Sequence, residues 1–191
     1  MSELLDQARR VAERAQALGA QEAKVSLSRS RGVSVEWRDG AIERLQDHTD
    51  QGLSVSLFVD GRFSRHGTSD MRPEAVERFL SDAITMTRYL EADECRSLPA
   101  PERYAGRAEV DLDLRDPNYE QVSAEQRRAE VTEVEAIARE ALSEELKGKE
   151  AEVSSVSSVV GDYFGQSARV HTNGFEGARE GTSFYMTAGV T

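Results

Sequence analysis

Thiol and imidazole groups are scarce in this chain of 191 residues, which has one cysteine, Cys95, and three histidines, His48, His66 and His171. A lone cysteine forms no internal disulfide, in keeping with a reducing compartment. No histidine is followed by glutamate, so the helical zinc motif His-Glu-x-x-His is absent. With only four prolines, the composition is far from that of a disordered or proline-rich chain. No run of about 18 apolar residues occurs, which excludes a transmembrane helix. The opening Met1-Ser2-Glu3-Leu4-Leu5-Asp6 has neither the basic start nor the apolar stretch of a signal peptide. Together these absences predict a cytoplasmic protein with no membrane partner. Lysine occurs only at positions 24, 147 and 149, and the formal net charge is −11. Such a charge repels phosphate backbones, so no direct nucleic-acid partner is expected.

Hydrophobic residues make up 38% and charged residues 31% of the chain, a globular balance. A folded chain of this size buries roughly 70% of its unfolded surface, so it needs no metal or disulfide staple. Leu4, Leu5, Ala8, Val11, Ala12, Ala15 and Leu18 recur at helical spacing, and Gly19 is placed to stop that helix. Ala23 to Ser28 and, after Gly32, Val33 to Trp37 alternate as half-buried strands. Asp39-Gly40 and Asp60-Gly61 are hairpin turn signals, with a weaker strand at Ile42 to Thr49, a strong one at Leu53 to Val59 and another at Arg62 to Thr68. Pro73 then suits the first turn of a helix whose stripe is Val76, Phe79, Leu80, Ala83, Ile84 and Thr87.

The pattern lapses from Glu91 to Val122, which predicts a connector over the surface. Ser123-Ala124-Glu125-Gln126 has the form of a capping box, opening a helix with Val131, Val134, Ile137, Ala138, Ala141 and Leu142 on its apolar face and Gly148 near its end. Beyond Gly148 the chain echoes its own opening. Glu22 to Ser26 is matched by Glu150 to Ser154, Gly32 to Gly40 by Gly165 to Gly174, and Gly52 to Val59 by Gly181 to Val190. The expected fold class is α+β, a duplicated helix-plus-antiparallel-sheet unit: first unit 1–91, connector 92–122, second unit 123–191. The second copy ends inside a strand without a covering helix, so residues 1–191 are expected to be the N-terminal domain of a longer protein.

Few residues invite chemistry. A metal site from His48, His66 and His171 would need three distant strands to converge, and isolated strand histidines are the simpler account. Ser64, His66 and Asp70 suggest a nucleophile, but residues two apart on a strand share a face without meeting. In Glu94-Cys95-Arg96 one arginine beside carboxylates is weak activation, so the thiol is expected to be inert. Gly174, Gly177 and Gly181 lack the phosphate-loop spacing and are expected to be turn glycines. The pairs Asp111/Asp113 and Glu150/Glu152 are explained by solvation, and Trp37, Phe58, Phe184 and Tyr185 by core or sheet-face packing. No catalytic, cofactor-binding or metal-binding residue is assigned. What the chain does offer is antiparallel sheet whose edges can accept an extended peptide.

The order and spacing of several segments carry a resemblance: Glu22-Ala23-Lys24-Val25-Ser26, Gly32 to Gly40, Gly52-Leu53-Ser54-Val55, Asp60-Gly61-Arg62, Thr68 to Val76, Leu112 to Pro117, and Thr172-Asn173-Gly174-Phe175-Glu176-Gly177. In these the chain resembles the N-terminal domain of the TldD/PmbA family, also called TldD/TldE or modulator of DNA gyrase proteins. The Asn-Gly-Phe-x-Gly region is closer to the PmbA (TldE) branch. The resemblance implies a cytoplasmic zinc metallopeptidase heterodimer acting on peptides or unfolded proteins. Its His-Glu-x-x-x-His motif belongs to a TldD-type partner, beyond the matching region, so no zinc ligand carries over to this chain. The implied role is structural or substrate-guiding. Two alternatives stand beside it: the same domain from the catalytic TldD-type subunit, and a non-enzymatic binding or scaffold module.

Overall fold

The structure is a computed structural model describing residues 2–93, 95–106, 110–150 and 152–191. Glu94 of the cysteine motif and Ala151 of the internal echo lie outside the described residues. In chain order the elements are α1 (Ser2–Ala17), β1 (Glu22–Arg38), β2 (Ala41–Val59), β3 (Arg62–Thr68), α2 (Pro73–Thr87), α3 (Ala124–Glu145), β4 (Val156–His171) and β5 (Glu176–Val190). Single turns of 3-10 helix occur at Pro101–Tyr104 and Tyr119–Gln121. The strands form one antiparallel sheet ordered β3-β2-β1-β4-β5, so the fold class is α+β.

The two Asp-Gly turns form as expected. Asp39 and Gly40 have φ of 47° and 84°, and Asp60 and Gly61 have 50° and 71°. Both residues of each turn are left-handed, the geometry that matches the twist of a tight hairpin. Between turns, however, the strands are longer than the sequence suggested. β1 runs unbroken through Gly32, although the buried alternation of Ala23, Val25 and Leu27 lapses at the exposed Ser28, Arg29 and Arg31 before it resumes at Val33, Val35 and Trp37. Gly32 is therefore no break. The His48 imidazole lies over it, so closely that an added Cβ would sit 2.6 Å from the ring. The weak and strong segments of β2 likewise fuse into one strand.

Two compact units share the long strands. The first spans Met1–Ser30, Asp50–Leu112 and Gly165–Glu180, the second Arg31–Thr49, Asp113–Phe164 and Gly181–Thr191. In the first, α1 contributes Ala8, Val11, Ala12 and Ala15 to a core completed by Val25 and Leu27 of β1, Leu53, Val55, Leu57 and Val59 of β2, and Leu80, Ala83 and Ile84 of α2. Each Val, Leu or Ile so buried is worth about 1.5–3 kcal/mol relative to exposure. Gly19, at φ 109°, ends α1 as expected, and Pro73 opens α2.

The second unit is built differently. Its apolar cluster is only Val35, Trp37, Val131 and Val160, with Val134 against it. The stripe read for α3 is corrected here: Ile137 is 59% exposed, and the buried positions are Arg127, Val131 and Glu135. Charged residues take these places because each is paired. Arg127 donates from Nη2 to Asp162 Oδ1 at 3.0 Å, from Nε to the same carboxylate, and from Nη1 to the Val122 carbonyl at 3.0 Å. Glu135 accepts from Trp37 Nε1 at 2.6 Å, from Gly40 N at 3.3 Å and from Arg139 Nη2 at 2.8 Å. Burial works to raise the Glu135 carboxyl, but the bonds from Arg139 and Trp37 outweigh it and hold it below the usual range.

The capping box at α3 is half formed. Ser123 Oγ accepts from Gln126 N at 3.1 Å, while the Gln126 side chain donates forward to Glu130 instead of back to the cap. Residues 152–154, read as part of the echo of β1, precede β4 and are not in a strand. No described helix is long and apolar enough to cross a membrane.

Candidate functional site

The histidines occupy three separate settings. His48 covers Gly32 on β2 in the second unit. His66, on β3 in the first unit, lies edge-on to Phe79 at 6.5 Å between ring centres. His171, at the end of β4, stacks on Phe175 at 4.7 Å, and its Nδ1 shares a hydrogen bond with the Tyr104 hydroxyl at 2.9 Å. Burial first, then the charges of Lys24 and Arg169, push the His171 imidazole down to about 4, so it is neutral at physiological pH. Among the described residues no group of three or more His, Cys, Asp or Glu could hold a metal ion. The donor set does not fit the zinc implied by the resemblance.

One expectation about the nucleophile candidates is overturned. Ser64 and His66 do meet, with Nε2 2.9 Å from Oγ. Both side chains leave the same face of β3, and the imidazole is long enough to fold back along the strand to the shorter serine. The hydroxyl is nonetheless committed to packing, since Ser64 Oγ also bonds Thr87 Oγ1, which donates to the Ala83 carbonyl at 2.6 Å. Asp70 does not complete a triad. It binds Arg72 through its side chain and backbone, and these bonds draw its carboxyl down to about 2. Cys95 is exposed, and its N–H donates to Asp93 Oδ1 at 3.1 Å. Gly174 is a turn glycine at φ 101°, but Gly177 and Gly181 lie within β5. Gly181 is there for close approach, since an added Cβ would come 3.2 Å from the Leu114 carbonyl oxygen.

The feature best suited to binding is in the second unit. Thr182 N donates to the Leu114 carbonyl at 2.8 Å, and Asp116 N donates to Thr182 Oγ1 at 2.9 Å. The connector is thus stitched to β5, and beyond the stitch β5 is open. Phe184 is 51% exposed, Tyr185 48% and Met186 63%. Phe184, Tyr185 and Met186 line a groove of about 410 Å3 together with Gln121, Gln126, Asp116, Glu130 and Asp162. Tyr119 is buried and packs its ring against Phe164 and Phe184. Burial first, then the Asp162 carboxylate, push its hydroxyl up to about 12. Its lining combines aromatic and thioether side chains with glutamines that supply amide donors and acceptors, the combination that suits an extended peptide. At the other border of the sheet, β3 pairs with β2 from Leu53 to Val59, and among the described residues no strand pairs with Ala41 to Gly52 on that side. Ile42 and Leu45 stand 52% and 66% exposed there.

Residues 23–87, which include the β1–β3 meander and α2, match the family model described as PmbA/TldA metallopeptidase domain 1. Residues 23–87 thus carry the first domain of the PmbA/TldD metallopeptidase family. It is 30% identical over 95 residues to "Metalloprotease PmbA" of Escherichia coli O157:H7, covering 50% of this chain and 21% of that protein. A second relative, "Metalloprotease PmbA homolog" of Haemophilus influenzae, is 26% identical over 76 residues, 40% of this chain and 17% of that protein. A crystal structure from Bacteroides thetaiotaomicron, described as a modulator of DNA gyrase, superposes with TM-score 0.82 at 34% identity over 100% of this chain and 41% of that one. TldE from Thermococcus kodakarensis shares the fold, with TM-score 0.69 at 18% identity over 94% of this chain and 38% of that one. The chain therefore spans well under half the length of these PmbA/TldD relatives.

Within the family domain, Trp37 packs in the core as expected, and Phe58 stacks on Phe63 at 5.1 Å. Phe184 and Tyr185 pack on the sheet faces but remain about half exposed, which sequence reasoning did not distinguish from burial. The buried pair Arg127–Asp162 was missed altogether. Its one visible signal was an arginine at helical spacing ahead of Val131.

Proposed function

We propose that this chain is the N-terminal domain of a PmbA/TldE-like subunit of a cytoplasmic zinc metallopeptidase complex that acts on peptides or unfolded proteins. The zinc belongs to a TldD-type partner, and this domain has a structural and substrate-guiding role. The observation that carries the reading is the open end of β5 with Phe184, Tyr185 and Met186 along a groove, in a family domain whose named relatives are PmbA metalloproteases. The separate engagements of His48, His66 and His171 support placing the metal elsewhere. Helix then hairpin occurs twice, as α1 with β1–β2 and α3 with β4–β5. That order supports a duplicated unit, with 1–91 and 123–191 as its copies and 92–122 between them.

The test is reconstitution of the full-length protein with a zinc-containing TldD-type subunit. The pair should cleave an unstructured peptide at least tenfold faster than either protein alone. Substituting Phe184 and Tyr185 by Ala should raise KM several-fold while the zinc content of the pair stays unchanged. Zinc-dependent cleavage by residues 1–191 alone, or failure of the two subunits to co-purify, would overturn the proposal.

A further inference from the structure

The open face of the first unit carries an unneutralised basic cluster in a chain of net charge −11. Lys24 on β1, Arg65 on β3, Arg169 on β4 and Arg179 on β5 make no ion pair among the described residues, whereas Arg9, Arg14, Arg31, Arg38 and Arg72 each do. Burial, and then the positive charges of Arg169 and Arg65, lower the Lys24 ammonium. Like charges kept together in an acidic protein cost stability, so the arrangement needs another reason than folding.

The geometry supplies one. Arg169 Nε donates to Ser26 Oγ at 3.1 Å and Arg179 Nε donates to Ser167 Oγ at 3.3 Å. Each serine holds the inner nitrogen of a guanidinium and fixes the plane of its fork, while the Nη ends make no hydrogen bond among the described residues. These four side chains line a cavity of about 260 Å3 together with Phe175 and Gly177. Oriented, unpaired guanidinium forks are receptors for bidentate oxyanions, above all carboxylates and phosphates. The ring of Phe175 and the bare backbone at Gly177 add apolar lining that a free inorganic ion would not use, but that the methylenes and backbone of a peptide side chain would.

We propose that Arg169 and Arg179, backed by Lys24 and held by Ser26 and Ser167, form a binding site for a carboxylate of an acidic peptide. This rests on the reading that the domain guides peptides, and it adds a preference for Asp- or Glu-bearing segments. Because the cluster is electrostatic and half exposed, binding should weaken as salt rises.

Isothermal titration of the protein with an unstructured Glu-containing hexapeptide, its Gln counterpart and inorganic phosphate tests the site. The acidic peptide should bind at least tenfold more tightly than the Gln peptide. Arg169→Gln with Arg179→Gln should abolish that difference, and the Lys pair at the same positions should retain part of it. Circular dichroism should show both variants folded, since the arginines are exposed. Equal binding of the two peptides would overturn the proposal while leaving the peptide-guiding reading standing. So would a preference that survives the Gln pair, or phosphate binding without peptide binding. Absence of any peptide binding would overturn it too, with the reading then judged by its own cleavage assay.

Discussion

Arg127 and Asp162 are 9% and 2% exposed in their side chains, so their pairing takes place almost out of water. Removing one member leaves the other as an uncompensated buried charge. Arg127→Met should therefore destabilise by about 3–5 kcal/mol, and adding Asp162→Leu should recover most of the loss; urea unfolding of the single and double variants measures both. His171 sets a different dependence. Its folded pKa of about 4 lies below the ordinary 6.5, so the unfolded chain binds a proton that the folded chain refuses. The stability involved is fully present above about pH 6.5, falls as pH drops towards 4, and amounts to no more than about 3 kcal/mol. His171→Phe should keep the stacking on Tyr104 and Phe175 and flatten that part of the profile, read as urea midpoints between pH 7.5 and 4.

At the scale of elements, local chemistry accounts for the beginnings and ends. Asp39-Gly40, Asp60-Gly61, Gly19 and Pro73 punctuate the chain where the sequence says, because each requires a backbone geometry that few residues adopt cheaply. The cap of α3 divides cleanly between its two residues: Ser123→Ala should cost about 1 kcal/mol, while Gln126→Ala, whose side chain bonds forward to Glu130, should cost little. Comparable losses in chemical denaturation would mean that the box closes in solution. The buried face of α3 was not legible, because a search for apolar residues passes over Arg127 and Glu135, and only their partners on the strands show why they are inside. The groove was equally hidden. Phe184 and Met186 alternate as a core strand would, yet both stay more than half exposed although the connector bonds to Thr182 and packs Tyr119 against Phe184.

For the molecule as a whole, the two units differ in what holds them. The first has a broad aliphatic cluster, and the second has a smaller one of Val35, Trp37, Val131 and Val160, with Val33, Tyr119 and Val156 buried outside it and ion pairs beside it. The only tryptophan, Trp37, is in the second. Its emission should change at a lower urea concentration than the far-ultraviolet circular dichroism; coincident curves would instead mean a single cooperative transition. Arg127, Val131 and Glu135 follow one another at intervals of one helical turn. If the helix slid by that interval, a valine would face the Asp162 carboxylate and the indole would lose its acceptor. Only one seating along the strands satisfies both ends, so polarity, and not oiliness, decides where α3 comes to rest.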